Sequence, residues 1–215
     1  MPAAVWTIVV AAGTGERFGS AKQFEALGDR RVVDWAVAAA REVSDGVVVV
    51  VPPGMRAGPG EVAGGSTRSA SVRSGLDAVP ALADIVVVHD GARPFASADL
   101  FRRVVDAVAA GAHGAVPGLP VTDTVKRAGA DHVVCETLDR TGLVAVQTPQ
   151  AFAAAALRAA HADEPQATDD AALVEATGGR VVVVPGEPGN RKLTVPSDLE
   201  WARRLAAAGE VVACG

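Results

Sequence analysis

The residues best suited to chemistry lie in and just after a glycine-rich stretch near the N-terminus. An apolar run ends at Val10, residues 11–19 read AAGTGERFG, and Lys22 follows shortly afterwards. Glycines let the backbone turn tightly and bring its N–H groups close to a phosphate, while Arg17 and Lys22 supply the opposite charge. The stretch therefore predicts a loop that holds the phosphates of a nucleoside triphosphate.

Other kinds of glycine-rich loop fit this stretch less well. A dinucleotide-binding fold places an acidic residue at the end of its second strand, where this sequence has Pro52 and Pro53. A Walker-type loop closes on Gly-Lys followed by Ser or Thr, and that sequence is missing here. A tight turn without a ligand is the structural alternative, and the two cations favour a phosphate loop over it.

A carboxylate and a lysine far along the chain are the other candidates. Asp90 follows an apolar run where a parallel strand is expected to end, and ligand sites of open α/β sheets form at such ends. Mg²⁺ is usually bound through one or two carboxylates with water and substrate phosphates, so Asp90 is the candidate metal ligand, with a helix or turn cap as the alternative. By strand alternation His89 points to the other face, and we interpret it as structural. Lys192, in a turn, is an ordinary solvated lysine unless it joins this group.

Alternating strand and helix patterns must position these residues. Valine-rich apolar runs predict buried strands, and the amphipathic stretches between them predict helices. This alternation is typical of an α/β fold with a mostly parallel sheet covered by helices on both faces. The predicted strands are residues 5–11, 47–51, 85–89, 114–117 and 180–184, and the predicted helices are residues 31–43, 69–79, 99–110, 150–161, 169–176 and the segment from 197.

Residues 120–146 interrupt this alternation. Short strand patterns at 121–127, 132–138 and 143–147 are joined by turns rich in Gly and Asp. The segment predicts a β-rich arm that projects from the sheet within one domain spanning residues 1–215.

Length, charge and composition limit the classes of function. The 215 residues suit one α/β domain, and a net charge of −5 with scattered cations argues against a nucleic-acid surface. No apolar run reaches the roughly 18 residues of a membrane span, and no basic residue precedes Arg17 as a secretory signal would require. The two cysteines suggest no disulfide framework. We expect a soluble, cytoplasmic protein without membrane or nucleic-acid partners and without a second enzyme fused after the last helix.

Short motifs along nearly the whole chain occur in a characteristic order. They read AAGxGxR, KQ, GGxxRxxSV, VHDxARP, DTxK, DRxGL, TPQ, TD and NxK. Together they resemble the 2-C-methyl-D-erythritol 4-phosphate cytidylyltransferase family of the non-mevalonate isoprenoid pathway. Val10 and Ala21 depart from the family pattern, because prolines are common at both positions, and their absence predicts a looser first loop.

The resemblance implies a fold and a reaction. The fold would be that of Rossmann-like nucleotidyltransferases, with Mg²⁺ as cofactor and a homodimer in which the β-arms embrace the partner. The reaction would transfer a cytidylyl group from CTP to 2-C-methyl-D-erythritol 4-phosphate, giving 4-diphosphocytidyl-2-C-methyl-D-erythritol and pyrophosphate. One alternative is a cytidylyltransferase for another polyol phosphate, such as ribitol 5-phosphate. Another is a nucleotide-binding regulatory protein without turnover.

The resemblance also implies roles for individual residues. Thr124 and Arg140 lie on the predicted arm, so they would reach the site of the other subunit. The implied nucleotide-binding residues are Ala11, Ala12, Gly13, Gly15, Gly65 and Ser71; the catalytic residues are Arg17, Lys22, Arg140 and Lys192; the substrate-binding residues are Arg93, Thr124, Thr148 and Thr168; and the metal ligand is Asp90.

Overall fold

An eight-stranded sheet lies at the centre of the computed structural model, which describes residues 3–13 and 21–208. The strands are β1 (Val5–Val10), β2 (Ala26–Leu27), β3 (Arg30–Arg31), β4 (Gly46–Val51), β5 (Glu61–Ala63), β6 (Ile85–Asp90), β7 (Gly114–Pro120), β8 (Lys126–Ala128), β9 (Val134–Thr137), β10 (Val144–Val146), β11 (Gln150–Ala153) and β12 (Val181–Pro185). The helices are α1 (Val32–Arg41), α2 (Arg68–Ala78), α3 (Ala98–Ala109), α4 (Ala154–His161), α5 (Asp170–Ala176) and α6 (Pro196–Ala208), and a short 3-10 helix spans Lys22–Phe24.

The sheet is mostly parallel, as the valine-rich runs predict. Its order is β10, β7, β11, β6, β1, β4, β5, and β12 also pairs with β7. β1 is parallel to both β4 and β6, β5 is parallel to β4, and β12 is parallel to β7. β11 is antiparallel to β6 and β7, and β10 is antiparallel to β7. Consequently β1, β4 and β6 end side by side at one edge of the sheet.

Two apolar layers cover the two faces of this sheet. Ile8 and Val88 face α2 and α4 in one buried cluster, whereas Val9 and Val87 face α1 and α3 in the other. Every residue of β6 is buried. Burying a single valine or leucine side chain contributes about 1.5–3 kcal/mol relative to leaving it exposed, so these layers are the main source of stability. The predicted α/β architecture is confirmed.

The alanine-rich segment after Pro149 differs from the sequence prediction. We expected one helix over residues 150–161, but residues 150–153 form β11, and the helix α4 begins only at Ala154. Gln150, Ala151 and Phe152 are buried where β11 pairs with β6 and β7. The helix prediction was wrong there because pairing in the middle of the sheet overrides the weak local preference of a short segment.

Residues 120–146, which we call the arm, contain three short strands, as the sequence predicts, but the first of them covers Lys126–Ala128 and not residues 121–127. Within the described ranges β8 and β9 pair with each other in a separate two-stranded sheet, and β10 joins the end of β7. Every residue of the three strands is exposed. Dimerisation through the arm stays a prediction. No helix in the described ranges is both long and apolar enough to cross a bilayer.

Candidate active site

A cleft of about 790 Å³ opens where β1, β4 and β6 end, which is the edge predicted to carry the ligand site. Eight of the predicted site residues line it together with Gln23, Thr67 and Arg68. The eight are Ala11, Ala12, Gly13, Lys22, Gly65, Ser71, Asp90 and Lys192. Gly15, Arg17 and the predicted looseness of the first loop concern residues 14–20, which lie outside the described ranges. The structure thus brings the first glycine stretch, Asp90 and the distant Lys192 to one place.

Gln23 fixes the beginning of the first glycine loop. Its side chain is buried, and Nε2 donates hydrogen bonds to the carbonyl oxygens of Ala11 at 2.6 Å and Gly13 at 2.8 Å. Because Gln23 also belongs to the 3-10 helix Lys22–Phe24, these bonds tie the loop to the segment that carries Lys22. Gln23 is part of the KQ motif, which is the only sequence signal for this role.

The second glycine loop, which contains Gly64 and Gly65, packs directly against the first. A Cβ atom on Gly64 would lie 2.5 Å from the Cβ of Ala12, so only glycine allows this approach. The loop leads into α2, whose first N–H groups are capped by Thr67, with Oγ1 accepting from Ala70 N at 3.1 Å. The Ser71 hydroxyl is buried and donates to the Thr67 carbonyl at 2.9 Å. Of the predicted nucleotide residues, Ser71 is therefore held in the first turn of α2, and Gly65 lies in the loop just before this helix.

Asp90 lies at the floor of the cleft among three cations. Lys192 Nζ is 2.8 Å from Oδ2 of Asp90, Arg93 Nε is 3.7 Å from the same oxygen, and Arg68 Nε is 4.0 Å from Oδ1. Burial by itself raises the pKa of Asp90, but the attraction of these cations outweighs it and lowers the pKa to about 2. Asp90 is therefore a carboxylate at neutral pH, with two cleft-lining cations, Lys192 and Arg68, beside it.

Thr148 and His89 form a buried hydrogen-bond chain that begins at the backbone N–H of Asp90. The Thr148 hydroxyl accepts from Asp90 N at 3.0 Å and lies 3.1 Å from His89 Nδ1. Since that hydroxyl already accepts one hydrogen bond, its own hydrogen can point to Nδ1, and His89 Nε2–H then donates to the Arg93 carbonyl at 3.1 Å. Burial lowers the pKa of His89 to about 4, which keeps the ring neutral. His89 also packs against Phe101, in agreement with its predicted structural role.

Asn190 anchors the turn that carries Lys192. Its buried side-chain Nδ2 donates to the Thr148 carbonyl at 2.8 Å, and its own carbonyl accepts from Arg93 at 2.8 Å. On the other side of Lys192, Leu193 N donates to the Ala92 carbonyl at 2.8 Å. Lys192, itself 41% exposed at the side chain, is thus held on both flanks so that its ammonium group reaches Asp90. Asn190 belongs to the NxK motif, but its packing role was not predicted.

The remaining predicted residues lie away from the lining of the cleft. Arg93 and Thr148 are held in the hydrogen-bond network under Asp90, as described above. Thr168 is exposed just before α5. Thr124 and Arg140 are exposed on the arm, where the Arg140 guanidinium donates to the Thr122 carbonyl. Direct contact of these five residues with a substrate stays a prediction.

The donor set around Asp90 fits a hard divalent cation. Among the described residues, no group of three or more His, Cys, Asp or Glu side chains could hold a metal ion by itself. A single ionised carboxylate beside a wide cleft is the arrangement in which Mg²⁺ keeps water and binds substrate phosphates as its other ligands. Because Lys192 occupies one carboxylate oxygen at 2.8 Å, a metal ion on that oxygen would displace the ammonium group.

Sequence comparisons point to one family. The family model described as 2-C-methyl-D-erythritol 4-phosphate cytidylyltransferase matches residues 5–207. A curated relative with this name from Rhodococcus jostii is 44% identical over 218 residues, covering 95% of this chain and 96% of the relative. A bifunctional enzyme IspD/IspF from Anaeromyxobacter dehalogenans is 48% identical over 221 residues, covering 94% of this chain and 56% of the relative. The chain thus spans little more than half the length of the bifunctional relatives it matches.

Solved structures agree with the sequence comparisons. The crystal structure of 2-C-methyl-D-erythritol 4-phosphate cytidylyltransferase from Thermus thermophilus superposes with a TM-score of 0.80 at 37% identity, covering 96% of this chain and all (100%) of that one. That of 4-diphosphocytidyl-2C-methyl-D-erythritol synthase from Anaerococcus prevotii gives a TM-score of 0.80 at 28% identity, covering 95% and 99% of the two chains. These similarities confirm the Rossmann-like nucleotidyltransferase fold that the sequence predicts.

Proposed function

Because this chain belongs to the 2-C-methyl-D-erythritol 4-phosphate cytidylyltransferase family, we propose that it transfers a cytidylyl group from CTP to 2-C-methyl-D-erythritol 4-phosphate. The observation that carries the proposal is the convergence of Asp90, Lys192, Arg68 and Lys22 on one cleft beside two glycine loops. Such a cleft suits a nucleoside triphosphate and a second phosphorylated substrate, because cations reduce the repulsion between the two anions.

The proposed step is a displacement at phosphorus. A phosphate oxygen of the acceptor attacks the α-phosphorus of CTP, and the new P–O bond replaces the bond to the oxygen that bridges to the β-phosphate. Pyrophosphate leaves with that electron pair, and the product is 4-diphosphocytidyl-2-C-methyl-D-erythritol. A phosphate monoester has a second pKa of about 6 and is largely dianionic at neutral pH, so the attack needs no general base.

The chain's own residues would then orient the anions and stabilise the charge of the transition state. The glycine loops offer backbone N–H groups to the nucleotide, and Lys22 and Arg17 would neutralise charge that spreads over the α-phosphoryl oxygens. Lys192 would hold the acceptor phosphate after leaving Asp90. Asp90 would hold Mg²⁺, which when bound supplies further positive charge at the phosphates.

A homodimer joined through the arms forms part of the same proposal. The arm exposes several large apolar side chains, among them Val133 at 59% and Val134 at 55%. Covering them in a dimer would remove apolar surface from water, which favours association. The exposed Thr124 and Arg140 would reach the cleft of the partner and contact the acceptor there.

Product formation from purified protein tests the function. The protein is incubated with CTP, Mg²⁺ and either 2-C-methyl-D-erythritol 4-phosphate or ribitol 5-phosphate, and pyrophosphate and the cytidine diphosphate product are measured. We expect turnover with the first acceptor and its loss when a chelator removes the metal. Turnover with ribitol 5-phosphate alone would replace the proposed acceptor. CTP binding without pyrophosphate release from either acceptor would indicate a nucleotide-binding protein and contradict the enzyme proposal.

A further inference from the structure

Asp170 is a buried carboxylate that none of the assigned site roles includes. It is the first residue of α5 and is 0% exposed. Its Oδ2 accepts a hydrogen bond from the Arg68 guanidinium at 2.8 Å, and its Oδ1 accepts from His161 Nε2 at 3.0 Å. Both carboxylate oxygens are thereby used, and one of the two partners lines the cleft.

Arg68 connects Asp170 with the floor of the cleft. It is the first residue of α2, its side chain is 26% exposed, and its Nε is 4.0 Å from Asp90 Oδ1. Burial by itself lowers the pKa of Arg68, but the negative charges of Asp170 and Asp90 raise it overall, so the guanidinium stays charged. One side of the guanidinium is held in the protein interior, and the group borders the space where a nucleotide would lie.

We propose that Asp170, braced by His161, is a positioning residue that holds the Arg68 guanidinium in place to receive the phosphates of CTP. The proposal rests on the proposed function for the identity of the ligand. A free arginine side chain loses rotamer freedom when it binds an anion, and a side chain already held by a buried carboxylate has lost that freedom on folding. The advantage of this arrangement therefore appears in nucleotide affinity.

The position of the ion pair favours this role over a purely structural one. A buried ion pair is by itself weak evidence for stability, because removing two charges from water offsets most of their attraction. Here the arginine borders the cleft, and the fully buried partner is the carboxylate. Arg68 also lies beside Asp90, the candidate metal ligand. An anion that enters the cleft thus meets a charged guanidinium that is already held in place from its other side.

The substitution Asp170→Asn tests the proposal. Asparagine keeps the size but loses the charge and one acceptor, so we expect the Kd for CTP, measured by calorimetry, and the KM for CTP to rise about tenfold. We expect kcat and the KM for the acceptor to stay within about twofold, because Asp170 is not proposed to touch the reacting atoms. Glu175→Gln is the control. It removes an exposed carboxylate from the same helix α5 without touching the Asp170–Arg68 pair, so CTP affinity should stay at the wild-type value.

A double-mutant cycle shows whether Asp170 acts through Arg68. If it does, Arg68→Gln combined with Asp170→Asn weakens CTP binding no more than Arg68→Gln does alone. Additive losses, or a fall in kcat with unchanged CTP affinity, would overturn the proposal. If Asp170→Asn does not fold, the comparison moves to His161→Gln, which keeps an N–H donor, and His161→Leu, which has none. Only His161→Leu should then lose CTP affinity. Equal CTP affinities of the glutamine and leucine variants would overturn the proposal.

The readout separates this proposal from the proposed function. CTP binding is measured without an acceptor, so a wild-type protein that binds CTP but forms no product disproves the reaction and still allows the cycle to be judged. A wild-type protein that does not bind CTP contradicts both.

Discussion

The cleft and the arm both carry predicted site residues, but the two regions hold them differently. Asp90 rests on the Thr148 hydroxyl and lies among three cations, and the turn of Lys192 is anchored through buried Asn190. On the arm, by contrast, Thr124 and Arg140 are exposed, and the pairs formed there, such as Arg127 with Glu136 at 2.9 Å, are exposed too. Exposed ion pairs contribute only about 0–1 kcal/mol each, so they do little to hold the arm in one conformation.

This difference separates what one chain can organise alone from what needs a second surface. The cleft is organised by the core of its own chain, because buried polar groups must find partners in the folded state. Among the described residues, β8 and β9 of the arm have no buried core beneath them, since every residue of both strands is exposed. We therefore expect single substitutions in the cleft to act within a subunit, and those on the arm to act across subunits.

The largest effect should come from removing the charge of Asp90. Asp90→Asn keeps the size of the side chain but removes the candidate metal ligand and the partner of three cations, so we expect kcat to fall by about a thousandfold. Asp131→Asn makes the same change on an exposed arm carboxylate and should leave kcat unchanged. Steady-state kinetics at saturating CTP measures both. Near-normal turnover of folded Asp90→Asn would contradict the metal role.

The buried histidine under Asp90 should make stability depend on pH. The folded-state pKa of His89 is about 4, below the usual 6.5. Between these two pH values the imidazole is therefore protonated in the unfolded chain but neutral in the folded protein. The contribution of the neutral His89 ring to stability is therefore fully present above pH 6.5. It is lost as the pH falls towards 4, which lowers the free energy of unfolding by roughly 3 kcal/mol.

Denaturant unfolding between pH 7 and pH 4 measures this loss. His89→Gln should be less stable at neutral pH but should show a smaller decrease over that range, since glutamine does not titrate. Parallel pH profiles for the two proteins would show that His89 is not the responsible group.

A cation beside the first glycine loop should matter almost as much as Asp90. We expect Lys22→Ala to lower kcat by about a hundredfold with the fold intact, because the transition state loses one positive charge. Arg17→Ala should have a similar effect. Arg127→Ala removes an arm cation that pairs with Glu136 and serves as the control. Unchanged turnover in a well-folded Lys22→Ala protein would remove Lys22 from the proposed mechanism.

The most direct comparison of the two regions mixes one variant from each. Arg140→Ala on the arm and Lys192→Ala in the cleft should each be nearly inactive alone. If Arg140 acts in the partner's site, half of the dimers formed after subunit exchange are mixed and each has one intact site, so activity should recover to about a quarter of wild type. Subunit exchange is verified by mass spectrometry of the intact dimers. Exchange without recovered activity would place both residues in the same subunit's site.

Local patterns were sufficient for the strands and loops that build the cleft. The valine-rich runs of β1, β4 and β6 are fully or largely buried, which favours a parallel sheet covered on both faces, and the carboxyl end of β6 locates Asp90. Glycine at positions 13 and 64 marked the two loops, and at Gly64 the close approach to Ala12 requires glycine. The residues of the arm were recognised by their changed periodicity.

Contacts between distant residues could not be predicted in this way. β11 has an alanine-rich sequence that suits a helix, and only its pairing with β6 and β7 makes it a strand. Gln23 and Asn190 belong to short motifs, but their roles, like that of Asp170, depend on partners that the fold brings close.

The sequence by itself determined the fold class, the edge of the sheet that carries the cleft, and the residue types that could bind a nucleotide, because these follow from local periodicity and from motifs. The tertiary structure alone decided that Lys192 reaches Asp90 and that Asp170 holds Arg68. The physical reason is that a buried charge is stable only beside a partner, and the partners here are about a hundred residues apart in the chain.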